Sequence, residues 1–139
     1  MKIKSFFAKP FAAYIHRTIQ KEKHTALLDQ ARIFQQLVKV GSKTAYGRHI
    51  KLIEGVDYQS FKNLVPLQDY EGLSPWIEKI KQGAQNVLWK GKPLYLAKTS
   101  GTTSGVKYIP ITKDSIPNHI NTARNALLCY MAESGNTRF

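Results

Sequence analysis

The chain has 139 residues, 42% of them apolar and 22% charged, which fits an ordinary globular domain and excludes a disordered polymer. Its 21 Lys and Arg against 9 Asp and Glu leave a net charge of +12, pointing to an anionic partner: a phosphorylated ligand, nucleic acid or an anionic membrane. No apolar run approaches the roughly 20 residues of a membrane-spanning helix, and Lys9, Pro10, His16 and Arg17 interrupt the N-terminal stretch before a signal-peptide core forms.

Residues 5–19 carry Phe7, Phe11, Tyr14, Ile15 and Thr18 at helical spacing, with Pro10 expected in a first turn. "HTALLDQARIFQQLVKVG" is the clearest helix. Leu27, Ala31, Phe34 and Val38 form its stripe, Leu28 and Leu37 widen it, Thr25 suits the cap, and Lys39 and Gly41 suit the end. Turns and short elements follow, punctuated by Gly47 and Gly55, with Pro66 blocking a long helix. "SPWIEKIKQG" predicts a compact helix with Ser74 as cap, Pro75 at the first position, Gly83 past the end, and Trp76, Ile77 and Ile80 facing one way.

"NVLW" and "PLYLAKT" read as short strands bounded by Gly91 and Pro93. A Ser/Thr-rich loop comes next, then "VKYIPIT", a third short strand that Pro110 confines to an edge. The last helix lies in "TKDSIPNHINTARNALLCYMAE". Thr112 is its cap, Pro117 must sit near its first turn, and Ile116, Ile120, Ala123, Leu127 and Tyr130 or Met131 form its stripe.

The expected fold is mixed α/β: helix-rich, with few short strands and an incomplete sheet. Residues 1–24 form an N-terminal helical extension, 25–90 a helical and turn region, and 91–139 a strand–loop–strand–helix unit. With no returning strand after the last helix, residues 1–139 read as the N-terminal fragment of a larger domain.

Most titratable residues suggest no chemistry. Cys129 stands alone in an apolar helical pattern, which excludes an internal disulfide or thiolate metal site, predicts a small buried residue and fits a reducing cytoplasm. His16, His24, His49 and His119 lack ligand spacing, so no metal site is expected. Asp57, Asp69, Glu71 and Glu78 show no acid–base arrangement; Asp69 and Glu71 favour the start of the following helix. Trp76 and Trp89 read as core, while Arg48 and His49 of "YGRH" are minor candidates for substrate contact.

The loop is richer. Phosphate binding needs free backbone N–H groups, hydroxyl donors and a positive charge. Thr99, Ser100, Thr102, Thr103 and Ser104 supply hydroxyls, Gly101 and Gly105 allow close backbone approach, and Lys107 supplies an ammonium. The Walker A pattern fails, because Gly101 and Gly105 are four apart, Val106 separates Gly105 from Lys107, and Tyr108 follows. Spacing alone leaves two readings open, a phosphate grip and a Ser/Thr-rich β-turn.

"TSGTTSGVK" resembles the phosphate-binding loop of the adenylate-forming superfamily, with Ser104 in place of a glycine, Gly105 one position late, and Val106 in place of a proline. That altered pattern is similar to the auxin-responsive Gretchen Hagen family of acyl-acid amido synthetases and its bacterial homologues. "KTAYGRH", "VPLQDYEGLSPWIEKIKQG", "NVLWKGKPLYLAKTSGTTSGVKYIPIT" and "KDSIPNHINTARNALLCYMAE" extend the likeness over about residues 25–135.

The resemblance implies an ATP-dependent ligase that forms an acyl-adenylate from a carboxylic acid, then an amide with an amine or amino acid. It implies that Thr99, Ser100, Thr102, Thr103, Ser104 and Lys107 hold ATP phosphates, with Gly101 and Gly105 permitting the approach. ATP and Mg2+ are the implied cofactors, although no metal ligand is identified in this chain. The partners implied are the small acid and amine substrates and the remainder of the same polypeptide, with neither nucleic acid nor membrane. The resemblance places the catalytic residues and other nucleotide motifs beyond Phe139, so the isolated chain is expected to be inactive. The competing expectation is a small basic module that binds nucleic acid or an anionic membrane, with the net charge as its footprint.

Overall fold

In a computed structural model, which describes residues 2–100 and 105–136, the chain runs α1 (Lys2–Glu22), a 3-10 turn (Lys23–Thr25), α2 (Ala26–Gly41), α3 (Ala45–His49), α4 (Tyr58–Leu64), α5 (Tyr70–Lys81), β1 (Tyr95–Lys98), β2 (Tyr108–Ile111) and α6 (Ile116–Ser134). This is the expected helix-rich mixed α/β fold, with a two-stranded open antiparallel sheet. Two units divide it, one of residues 1–30 with 116–139 and one of residues 31–115.

In the first unit α1 packs on α6. Ala12, Leu128 and Met131 are buried there, with Ala8, Ile15 and Ala132 packed around them. Small residues at positions 8 and 12 lie one turn apart on α1, which lets the larger Leu128 and Met131 side chains sit close to its backbone. The His16 Nε2 atom lies 3.2 Å from Glu133 Oε1. Pro10 does not open α1 as expected but lies inside it, where it forgoes one backbone hydrogen bond in an otherwise helix-forming run.

The expected stripe on α6 also requires correction. Leu128 and Met131 are its buried residues, whereas Ile120, Leu127 and Tyr130 are exposed. The face that meets Ala8 and Ala12 selects the buried side, and hydrophobic spacing on α6 alone does not report where that face is. Cys129, next to this seam, is half-buried rather than buried. On α2, Val38 is buried at 2% exposure while Leu27 remains 82% exposed, so only the C-terminal part of its stripe enters the core.

The second unit is built around the end of α2 and α3. Thr44 caps α3: its Oγ1 accepts the Gly47 N–H at 2.9 Å and donates to the Gly41 carbonyl at 2.7 Å. At 1% exposure the hydroxyl is buried with both donor and acceptor roles filled. The free N–H groups of Ala45 and Tyr46 donate to the carbonyls of Asn86 and Val87 at 2.8 and 3.0 Å.

That contact explains why "NVLW" is not the strand its composition predicts. Its first two carbonyls serve α3, Asn86 turns with φ of 54°, and the Gly91 N–H closes the bend on Asn86 Oδ1 at 2.7 Å. Edge-to-face rings complete the packing, Phe34 on Phe61 and Tyr46 on Trp76 at 5.2 and 5.4 Å between centroids.

Helix α5 starts five residues before the Ser74–Pro75 signal. Asp69 is its cap, accepting the Gly72 N–H at 2.8 Å, and Pro75 lies within the helix. The far end follows expectation. Gly83, with φ of 94°, turns the chain so that the Gly83 and Ala84 N–H groups reach the Ile80 and Lys79 carbonyls, a Schellman closure. Ile77 and Ile80 are buried and Trp76 is half-buried, the face the spacing predicts.

Candidate functional site: the loop between the two strands

Strands β1 and β2 form an antiparallel hairpin in which Tyr95 faces Ile111, Leu96 faces Pro110, Ala97 faces Ile109 and Lys98 faces Tyr108. The Thr99 N–H donates to the Lys107 carbonyl at 3.0 Å, which closes the hairpin one pair beyond the strands. Hydrogen-bonded pairs alternate along such a ladder, so Lys98/Tyr108 and Leu96/Pro110 are the pairs that turn their amides outward. Pro110 therefore removes no donor that β1 needs.

Of the loop residues singled out from sequence, Thr99, Ser100, Gly105 and Lys107 are described; Gly101, Thr102, Thr103 and Ser104 lie outside the described residues. The closing hydrogen bond brings Thr99 and Lys107 together at the neck. Gly105 has φ of 77°, a conformation that a β-carbon disfavours, and among the described residues nothing lies within 4 Å of the position that carbon would take. A glycine here serves the backbone turn.

Helix α5 supports the loop's exit. The Tyr108 N–H, one of the outward amides, donates to Tyr70 Oη at 2.8 Å. Lys107 Nζ stands 5.4 Å from the centroid of the Tyr70 ring, and Lys81 Nζ stands 4.8 Å from that of Tyr108. Lys81 also pairs with Glu78 at 2.7 Å, and this carboxylate pushes the Lys81 ammonium above its ordinary pKa. The neck of the loop thus carries two ammonium groups, each seated on a tyrosine ring.

Sequence reading missed Tyr70, Tyr108 and Lys81. Tyr70 lies 38 residues before Tyr108, and no local pattern announces that its hydroxyl takes a strand amide. The minor candidates are placed elsewhere: Arg48 donates to the Lys43 carbonyl at 2.7 Å, and the His49 ring lies 5.2 Å from that of Trp76. Trp89, read as core, is half-buried and donates its indole N–H to Asp114 at 3.0 Å.

Among the described residues no group of three or more His, Cys, Asp or Glu side chains stands together in a way that could hold a metal ion. No helix among them is long and apolar enough to cross a membrane.

Residues 15–137 match the GH3 family N-terminal domain. The chain belongs to the GH3 family. A probable indole-3-acetic acid-amido synthetase of Oryza sativa subsp. japonica is 31% identical to this GH3 chain over 108 residues, covering 76% of the chain and 18% of that protein. An indole-3-acetic acid-amido synthetase of Arabidopsis thaliana is 32% identical over 94 residues, 66% of the chain and 16% of that protein. A jasmonoyl–L-amino acid synthetase of Nicotiana attenuata is 30% identical over 87 residues, 61% of the chain and 15% of that protein. The GH3 chain thus spans less than a fifth of the length of these relatives. No solved structure matches it.

Proposed function

We propose that this GH3 chain is the phosphate-gripping part of a ligase that activates a small carboxylic acid with ATP as an acyl-adenylate, releases pyrophosphate, and joins the acyl group to an amine or amino acid. The observation that carries this reading is the closed hairpin neck, where Thr99 meets Lys107 beside the open backbone turn at Gly105. A leaving pyrophosphate gathers negative charge, and preorganised N–H, O–H and ammonium donors stabilise it more than they stabilise bound ATP.

The donor set at the neck fits a polyphosphate. In this reading Thr99, Ser100 and Lys107, with Gly101, Thr102, Thr103, Ser104 and Gly105, hold the ATP phosphates. The Lys107 ammonium neutralises charge, and the Gly105 turn admits phosphate oxygens close to the backbone. Among the described residues no His, Cys, Asp or Glu cluster could hold Mg2+, and no step is routed through the ion. The acid, the amine and the groups that move protons belong to parts of the polypeptide beyond this chain, and the chain alone is inactive in this reading.

The test is acid-dependent exchange of labelled pyrophosphate into ATP, run on the full-length protein across a panel of carboxylic acids. At least one acid is expected to support exchange, and Lys107→Ala to lower it about 100-fold, as loss of one oxyanion donor does, with thermal stability retained. Absence of exchange with every acid overturns the ligase reading; unchanged exchange in Lys107→Ala removes the lysine from it.

A further inference from the structure

We propose that Tyr70, at the first residue of α5, is the positioning residue of the phosphate loop, holding its exit from outside the hairpin. The inference rests on the phosphate-loop reading and names a residue 29 positions before the first loop residue, Thr99.

The argument starts from the ladder. A two-stranded hairpin leaves the outward amides of each strand without a partner, and an unpartnered strand edge frays. On β2 those amides belong to Tyr108 and Pro110, and Pro110 has no N–H. Tyr108 is therefore the one described residue of β2 whose N–H faces away from β1. Tyr70 Oη accepts that N–H at 2.8 Å, immediately after Lys107 in the chain.

The same side chain acts a second time. Its ring faces Lys107 Nζ at 5.4 Å, so hydroxyl and ring together fix the backbone that follows Lys107 and limit where its ammonium travels. Tyr70 itself is anchored, since Asp69 caps the first turn of α5 through the Gly72 N–H, and Ile77 and Ile80 bury the helix farther along. A rigid helix thus reaches across to a loop whose own neck has a single described backbone closure, the Thr99–Lys107 hydrogen bond.

Two variants of the full-length protein separate the two contacts. Tyr70→Phe keeps the ring and removes the acceptor; Tyr70→Leu removes both. Losing one hydrogen bond is expected to speed hydrogen exchange at the Tyr108 amide, and to raise the KM for ATP in pyrophosphate exchange, each by about 10-fold. The KM for the acid and the exchange of amides within α5 stay unchanged in Tyr70→Phe. Tyr70→Leu raises the ATP KM further, and adding Lys107→Ala to it costs less than Lys107→Ala costs alone, because the lysine has already lost its seat.

The proposal is overturned if Tyr70→Phe leaves the Tyr108 amide and the ATP KM as in wild type, or if both substrates' KM values rise together, the mark of general loosening. A wild-type protein that shows no acid-dependent exchange at all overturns the phosphate-loop reading and this proposal with it. That outcome is told apart from a failure of Tyr70 alone, in which the wild type is active and the variants match it.

Discussion

At Asp114 two donors converge on one carboxylate oxygen: the Trp89 indole N–H at 3.0 Å and the Lys90 ammonium at 3.0 Å. The indole hydrogen bond first, and the Lys90 hydrogen bond next, hold this carboxyl below the ordinary aspartate range. The folded pKa lies below the unfolded one, so the stabilisation is complete above the ordinary aspartate value and is lost as pH falls through the depressed folded value. Because the indole reports the event, tryptophan fluorescence in a Trp76→Phe background is expected to titrate below the ordinary aspartate range, and Asp114→Asn to abolish that step. A step at or above the ordinary aspartate value would show that the indole does not bind the carboxylate. None of this is legible in sequence, where Trp89 reads as core; the pairing joins residues 25 apart.

Between elements, the tightest joint is α2 to α3. A β-carbon on Gly47 would lie 2.0 Å from the Gly41 carbonyl oxygen and 2.8 Å from its carbon, both backbone atoms that cannot rotate away. Gly47→Ala is therefore expected to destabilise the protein by about 1–3 kcal/mol, the usual cost of overpacking, read as a lower denaturant midpoint at unchanged slope. Gly41→Ala is the control: its nearest neighbour is Leu52 Cδ2 at 3.6 Å, an ordinary contact, so stability should hold or rise slightly. Equal loss in both variants would remove the clash as the cause. Element by element, periodicity located α2, α5 and α6, but it named the buried face correctly on α5 and not on α6. Boundaries were less legible. Ser74–Pro75 mimics a helix start, yet Asp69 captures the Gly72 N–H and begins α5 earlier. "NVLW" has strand composition but spends its carbonyls on α3, a partner some 40 residues away.

Across the whole molecule the net charge of +12 is the property most open to misreading. Lys39 and Lys43 pair with Glu54, Lys81 with Glu78 and Lys90 with Asp114, so these four lysines already have carboxylate partners. A basic nucleic-acid module predicts tight binding to random duplex DNA that collapses between 50 and 200 mM salt, on the order of 1,000-fold or more. The ligase reading predicts weak association at both salts; a steep, tight response in a fluorescence anisotropy titration would restore the rival. At this scale the loop between the strands carries the likeness to the family, although its spacing alone suits a Ser/Thr-rich β-turn as well as a phosphate grip. What holds the loop was hidden, because Tyr70 reaches it through the fold.

The proline on β2 has one more consequence, for the borders of the sheet. With Pro110 lacking an amide and Tyr108's amide occupied by Tyr70, β2 has no described outward amide left to donate, whereas on β1 the amides of Leu96 and Lys98 face outward. By count of outward donors the two borders of the hairpin are therefore unequal: β1 has two amides to offer, and β2 has only its carbonyl acceptors.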